Sequence, residues 1–312
     1  MGDSGPKDVH REPGASTSCL VIGATGSQGG SVVRALTGAG FAVRAMTRRP
    51  TSPAAEALRG LGAVVCAGDL NDPASLSEAF EGAGTVFIVL DYWRIGADEE
   101  ARQAETVIAA AKRAGVHHAV LSTGFGVDVD VAANRGKQRA EALLLASGIP
   151  CSIVRPALFM EDLEGRSLPL PEPVRRLVRR DPRRAGRLLL AIMAALNGQD
   201  ADVPLVAMED IGRAVLWLLQ NPAARTSDAW SLVGDVMRMG DLIERWERSG
   251  RGRVRSWPGL VQGLRLVRAD LAELLAVLPR AVESAPLPPI KFQSFAAFLE
   301  GSGPSAPGHR PT

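Results

Sequence analysis

Cys19-Leu20-Val21-Ile22-Gly23-Ala24-Thr25-Gly26-Ser27-Gln28-Gly29-Gly30-Ser31-Val32-Val33-Arg34-Ala35-Leu36 decides how the rest of the chain is read. Cys19–Ile22 is a short apolar run with β-branched residues, so it reads as a buried strand. Gly23, Gly26 and Gly29 follow at G-x-x-G-x-x-G spacing. Val32, Val33 and Leu36 then recur at helical intervals, so a helix opens near Gln28. A glycine-rich turn between strand and helix lets the backbone approach a pyrophosphate. The helix N-terminus then offers that anion unpaired N–H groups and a positive dipole end. A plain tight turn is the alternative; the strand before and the helix after favour nucleotide binding over it.

Outward from this turn, Phe41–Met46 alternates apolar residues and forms a second strand, ending at Thr47-Arg48-Arg49-Pro50 before a helix over Ala54–Leu61. Ala63–Ala67 is a third strand and runs into Gly68-Asp69-Leu70-Asn71-Asp72. Asp72-Pro73 gives the next helix, Ala74–Phe80, an N-cap and a proline at its first position. Thr85–Leu90 is almost wholly apolar, as a strand covered on both faces requires. A long helix over Asp98–Ala114, a fifth strand at Ala119–Ser122, a helix over Val131–Ser147 and a sixth strand at Cys151–Val154 complete the pattern. Strands and helices alternating in this way predict an α/β, Rossmann-type, doubly wound parallel sheet with right-handed crossovers. Ligands in such folds sit outside the carboxyl ends of the strands. The distinctive polar clusters fall there: Gly23 onward, Arg48, Asp69, Asp91–Trp93 and Ser122–Gly124.

The second half is less regular. Arg175–Arg187 is dense in arginine, is broken at Asp181-Pro182 and has no interleaved aromatic residues. A solvated helix surface is favoured there over a groove for phosphates. Asp210 is placed as the cap of a helix over Arg213–Gln220, with Ala214, Val215, Leu218 and Leu219 as its buried face. Trp230–Val233 reads as a short strand, and Asp241–Arg248, Leu264–Leu278 and Ile290–Leu299 read as helices. The ends, 1–17 and 301–312, read as disordered extensions.

The chain has 312 residues, 46% hydrophobic and 22% charged, with a net charge of +2. That is enough for a sizeable core without disulfide or metal staples. The charge balance alone argues neither for nor against a nucleic-acid partner. Cys19, Cys66 and Cys151 form no C-x-x-C and sit in strands, so they read as small hydrophobes in a reducing compartment. The N-terminus has no apolar signal region and no apolar run approaches the roughly 18 residues of a membrane span. A soluble, cytoplasmic protein is expected, with nuclear residence left open.

The tip of the second strand selects the cofactor. An NAD site usually places an acid there for the ribose 2′-hydroxyl. This chain has Thr47-Arg48-Arg49, and a guanidinium suits a 2′-phosphate, so NADP(H) is favoured over the reading of both arginines as ordinary surface residues. Asp69 either accepts from the adenine amino group or simply caps its own turn.

Gly-Ala-Thr-Gly-Ser-Gln-Gly, Met-Thr-Arg-Arg-Pro, Ala-Gly-Asp-Leu-Asn-Asp, Phe-Ile-Val-Leu-Asp-Tyr-Trp and the later Met-Glu-Asp-Ile-Gly resemble the NmrA-like family of atypical short-chain dehydrogenases. So does Ala-Lys-Arg-Ala-Gly-Val-His-His-Ala-Val-Leu-Ser-Thr-Gly. The Asp91-Tyr92-Trp93 ending is most similar to the animal NmrA-like redox sensors. The resemblance implies an NADP-binding Rossmann domain over 18–156 and a smaller C-terminal α+β substrate-like domain over 157–300, some of its segments returning to the sheet. It also implies NADP(H) as ligand and often a regulatory role in place of turnover, with protein partners of a regulatory kind. A homodimer stays open; membrane attachment and direct nucleic-acid binding are not expected. Carried over by position, Gly23, Thr25, Gly26, Ser27, Gln28 and Gly29 form the dinucleotide loop, and Arg48 holds the 2′-phosphate. Asp69 and Leu70 flank the adenine, Asp91, Tyr92 and Trp93 line the pocket, and Thr123 and Lys137 lie near the nicotinamide ribose. Phe159, Met160, Glu161 and Asp162 occupy the segment that closes over the nicotinamide, where close relatives carry Phe-Glu-Asn in place of this chain's Met-Glu-Asp.

Catalysis by short-chain dehydrogenases uses Tyr-x-x-x-Lys, the lysine lowering the tyrosine pKa so that it can pass a proton. Lys137 stands at the lysine position, but the residue four before it is Ala133, and Tyr92 is the only tyrosine in the chain. Lys137 then either acts alone or only hydrogen-bonds the ribose, the latter being favoured. His117 and His118 read as structural or surface residues, no metal-ligand spacing is present, and Ser122 lacks a G-x-S-x-G setting. The expected function is an NADP(H)-binding, redox-sensing regulator. The alternative is an NADPH-dependent reductase of quinones or small carbonyl compounds using Lys137.

Overall fold

The computed structural model describes residues 18–165, 181, 183–225, 229–256, 258–280 and 285–301. Its first half alternates β1 (Ser18–Val21), α1 (Ser27–Gly38), β2 (Val43–Thr47), α2 (Pro53–Gly60), β3 (Val64–Ala67), α3 (Pro73–Ala79), β4 (Ala83–Val89), α4 (Tyr92–Arg113), β5 (His118–Ser122), α5 (Ala132–Ala146) and β6 (Cys151–Pro156). The second half holds β7 (Leu158–Phe159), α6 (Arg183–Asn197), β8 (Asp202–Val206), α7 (Met208–Gln220), β9 (Ala229–Leu232), β10 (Asp235–Arg238), α8 (Met239–Trp246), α9 (Leu260–Val267), α10 (Ala269–Val277) and α11 (Phe295–Leu299). A seven-stranded sheet runs β3-β2-β1-β4-β5-β6-β9, every pairing parallel. The strand order reverses between β1 and β4, so a crevice opens where their carboxyl ends part.

Strand alternation sorts the apolar run at the start of the chain. Cys19 and Val21 enter one core with Val32, Val33 and Leu36 of α1 and with Ile211, Val215 and Leu218 of α7. Leu20 and Ile22 enter the other, with Leu76, Phe80, Val107, Leu121 and Leu144. Both faces are covered, which is why Cys19–Ile22 is apolar throughout. α7 lies directly on α1 because residue 212 is glycine: a Cβ there would stand 2.4 Å from the Ser31 carbonyl oxygen. A third core joins Leu190 and Met193 of α6, Leu205 of β8, Trp246 of α8, Leu271 of α10 and Phe295 of α11. Beside it, β10-β8-β7 form a small mixed sheet.

Several expectations for the second half need correction. Asp210 does not cap its helix; α7 starts at Met208, and the wholly buried Asp210 carboxylate accepts from the Gln293 N–H and pairs with Arg213. The helix expected over Leu264–Leu278 is two helices, because Arg268 at φ −147°, ψ 74° breaks the path between α9 and α10. Of Ile290–Leu299 only Phe295–Leu299 is helical, entered through a Ser294 cap. The long fourth helix begins earlier, at Tyr92, and bends at Gly96, whose φ of 79° suits glycine. β7, β8 and β10 had no counterpart in the sequence, and of α6 only its start, Arg183–Arg187, was read as a helix surface. Of the arginine run, 175–180 and 182 lie outside the described residues, as do the extensions 1–17 and 302–312. Arg183, Arg184 and Arg187 belong to α6, the last two pairing with Asp181. Cys19 and Cys151 are buried and Cys66 half-buried. No helix among the described residues is long and apolar enough to cross a membrane.

Candidate functional site

A cavity of about 760 Å³ opens at the crevice. Its floor is the glycine turn. Gly23 has φ 72°, which disfavours a side chain there, and a Cβ on Gly29 would stand 2.2 Å from the Gly23 carbonyl oxygen. The third glycine therefore lets α1 sit down on the turn, and Gly26, at the N-cap position, supplies no side chain to satisfy the first N–H groups of α1. Those donors and the positive end of the helix are left for an anion. Gln28 crosses from this loop to the neighbouring strand end, where Ser122 Oγ donates to its Oε1 at 2.8 Å.

The next strand end brings Arg48 and Arg49 to the wall, both exposed. The Arg48 side chain makes no hydrogen bond or ion pair with another described residue, although the charge of Arg48 is felt at the Asp91 carboxylate. Asp69 and Leu70 line the wall after β3. Asp69 also holds its own turn, Oδ1 accepting from the Asn71 N–H at 3.0 Å. That turn is tied to α4, because Asn71 Oδ1 accepts from Arg102 Nη2 and Gln103 Nε2.

Asp91, Tyr92 and Trp93 follow β4 and join the wall as the start of α4. Tyr92 donates its hydroxyl to Asp270 Oδ2 at 3.2 Å, and Trp93 lies edge-on to it, 5.0 Å between ring centres. Burial, then the Asp270 carboxylate, push the Tyr92 pKa up to about 12. This phenol is a poor acid at neutral pH. The Arg268 guanidinium sits 4.9 Å from the Trp93 ring centre.

Thr123 is on the wall with its hydroxyl donated to Glu141 Oε1 at 2.6 Å, and Arg155 pairs with the same carboxylate. Lys137 faces the cavity beside Ala133, which is buried and offers only a methyl group. Lys137 Nζ donates to Glu100 Oε1 at 2.8 Å and lies 5.1 Å from the Tyr92 ring centre. Phe159 and Asp162 complete that side, and Leu271, Leu274, Leu275 and Leu278, three of them from α10, add an apolar wall. Met160 and Glu161 do not line the cavity: Met160 is fully buried in the third core, and the Glu161 carboxylate accepts from the Met208 N–H at the start of α7. The four leucines and Glu100 were not singled out from the sequence; their place depends on how distant helices cross.

With this geometry in place, the sequence matches the model of the NmrA-like family over residues 16–256. The chain belongs to the NmrA-like family. It is 34% identical to an NAD(P)H azoreductase of Xenophilus azovorans over 146 residues, 46% of this chain and 49% of that protein. The chain thus spans about half the length of this curated relative. Among solved structures it resembles NmrA, a negative transcriptional regulator, with a TM-score of 0.64 and 19% identity over 93% of each chain. It also resembles the NADPH-dependent quinone oxidoreductase QOR2 of Escherichia coli in complex with NADPH, with a TM-score of 0.65 and 19% identity over 91% of this chain and 99% of that one. At such identities these two likenesses establish the fold.

Proposed function

We propose that the cavity takes NADP(H), and that the protein acts as a redox-sensing regulator with little or no dehydrogenase turnover. The residues fit such a ligand chemically. A cradle that a Cβ at Gly29 would fill, with free N–H donors at the start of α1, suits a pyrophosphate. A guanidinium at Arg48, unpaired among the described residues, suits a 2′-phosphate. When bound, the cofactor would supply a hydride at its nicotinamide. What this chain lacks beside it is an acid: Ala133 puts a methyl group where a phenol would stand, and the one tyrosine is turned to Asp270. That observation carries the regulatory reading, with which cytoplasmic and nuclear residence and a protein partner are consistent.

A reductase of quinones or small carbonyl compounds is the second reading. The apolar wall of Leu271, Leu274, Leu275 and Leu278 favours it, because it leaves room for a flat, apolar acceptor in the same cavity. Lys137 would then stand in for the missing phenol. Titration with both cofactors tests the common premise. Arg48→Ala is expected to weaken NADPH by about 1.5–3 kcal/mol, the range of a charge-assisted contact, and to leave NADH nearly unchanged. Equal losses would return Arg48 to the surface. Ordinary turnover of a quinone panel, abolished in Lys137→Ala with NADPH binding intact, would replace the regulator by the reductase.

A further inference from the structure

Glu100 belongs to none of the motifs around the cavity. It has only 2% of its surface exposed, and its Oε2 has no hydrogen-bond partner among the described residues. The other oxygen accepts from Lys137. Burial pushes the Glu100 pKa up, while the Lys137 ammonium pulls it back. A half-satisfied buried carboxylate is a poor device for stability, since its desolvation offsets most of the attraction it gains. Its neighbourhood nevertheless has little slack: a Cβ on Gly136 would stand 2.3 Å from Glu100 Oε2. The residue before Lys137 thus has to be small for α4 and α5 to close around this acid. The bend at Gly96 sets Tyr92 on one side of the ammonium and Glu100 on another. Asp91, itself facing Arg94 and Arg48, is the further charge felt at Glu100.

We propose that Glu100 is a positioning residue: it holds the Lys137 ammonium in one place on the cavity wall, so that its remaining N–H donors meet a ligand already ordered. A free lysine side chain carries considerable rotamer freedom, and binding a ligand with it costs the ordering of that chain. Glu100 settles that cost in the folded protein. The use of the held donors rests on the reading that the cavity takes NADP(H); the hold itself does not.

Two measurements separate these points. The chain has four lysines, Lys7, Lys112, Lys137 and Lys291. Brief acetylation without cofactor, read by mass spectrometry, gives the reactivity of Lys137 against the exposed Lys112. In Glu100→Gln the Lys137 rate is expected to rise several-fold while Lys112 stays constant; an unchanged ratio overturns the proposal. Should that variant not fold, Glu100→Asp, with a shorter reach, gives the same readout. The second measurement is the NADPH dissociation constant of wild type, Glu100→Gln, Lys137→Met and the double variant. Glu100→Gln alone should weaken binding roughly 2- to 10-fold, the range of one side chain's ordering cost, and should have almost no further effect once Lys137 is gone. The same loss in both backgrounds would make Glu100 a structural residue and overturn the proposal. If wild type binds no NADPH, the cofactor reading fails, and the acetylation ratio still decides whether Glu100 holds Lys137.

Discussion

His118 opens β5 with none of its surface exposed and its ring Nε2 3.1 Å from Ser152 Oγ. Burial, followed by the charges of Arg225 and His117, lowers its pKa to about 4. In the unfolded chain an ordinary histidine takes up a proton near pH 6.5. The native state does so only near 4, so the stability this ring contributes is present above about pH 6.5 and is lost as pH falls through that window. Thermal unfolding at pH 7 and pH 4.5 checks this. The acid loss should be smaller in His118→Gln than in wild type by on the order of 1–3 kcal/mol, and equal losses would show that the ring titrates normally in the fold. At this scale the sequence announced residues at strand ends, such as Arg48, Asp69 and Tyr92, because position along one strand suffices to place them. It read His118 as structural or surface from the same logic. Glu100 was invisible because its role comes from where α4 meets α5.

The glycine turn was legible as an element because each of its parts is local: an apolar strand, three glycines at fixed spacing and a helical apolar face. The bend at Gly96 and the break at Arg268 were not legible. Arg268 sits inside an apolar pattern that continues across it, and Gly96 precedes the helix read from Asp98, so only the packing partners show where the path must change. Gly136 is the sharpest test of helix contact. A methyl group there would also meet the Ala97 carbonyl oxygen at 2.8 Å, which is backbone and cannot swing away. Gly136→Ala should gain the helix preference of alanine, about 0.5–1 kcal/mol. Overpacking should cost about 1–3 kcal/mol. A net loss in urea unfolding, with a rise in Lys137 acetylation, is the expected outcome; a stabilised variant would mean that α4 and α5 have room between them.

The cavity wall gathers Gly23, Arg48, Asp69, Tyr92, Thr123 and Leu271, which are spread over most of the chain. The first five follow from the sheet's order, since each lies at the carboxyl end of a parallel strand. Leu271 comes from a helix that no local pattern attaches to the crevice. α10 is joined there by two contacts to the start of α4, Asp270 with the Tyr92 hydroxyl and Arg268 with the Trp93 ring. Asp270 also pairs with Arg268 at 3.0 Å, so one carboxylate braces both contacts. Leu271 and Leu275 hold the same helix through the third core. Removing the carboxylate in Asp270→Ala should cost about 1.5–3 kcal/mol of local closure, the value of a hydrogen bond to a charged group, and should leave the glycine turn and Arg48 untouched. Trypsin should then cut after Arg265 and Arg268 roughly 10- to 150-fold faster than in wild type. The preference for NADPH over NADH, carried by Arg48 at the other end of the wall, should persist. Unchanged cleavage would show that leucine packing alone keeps α10 in place, and a lost cofactor preference would show that the two ends of the cavity are coupled through α4.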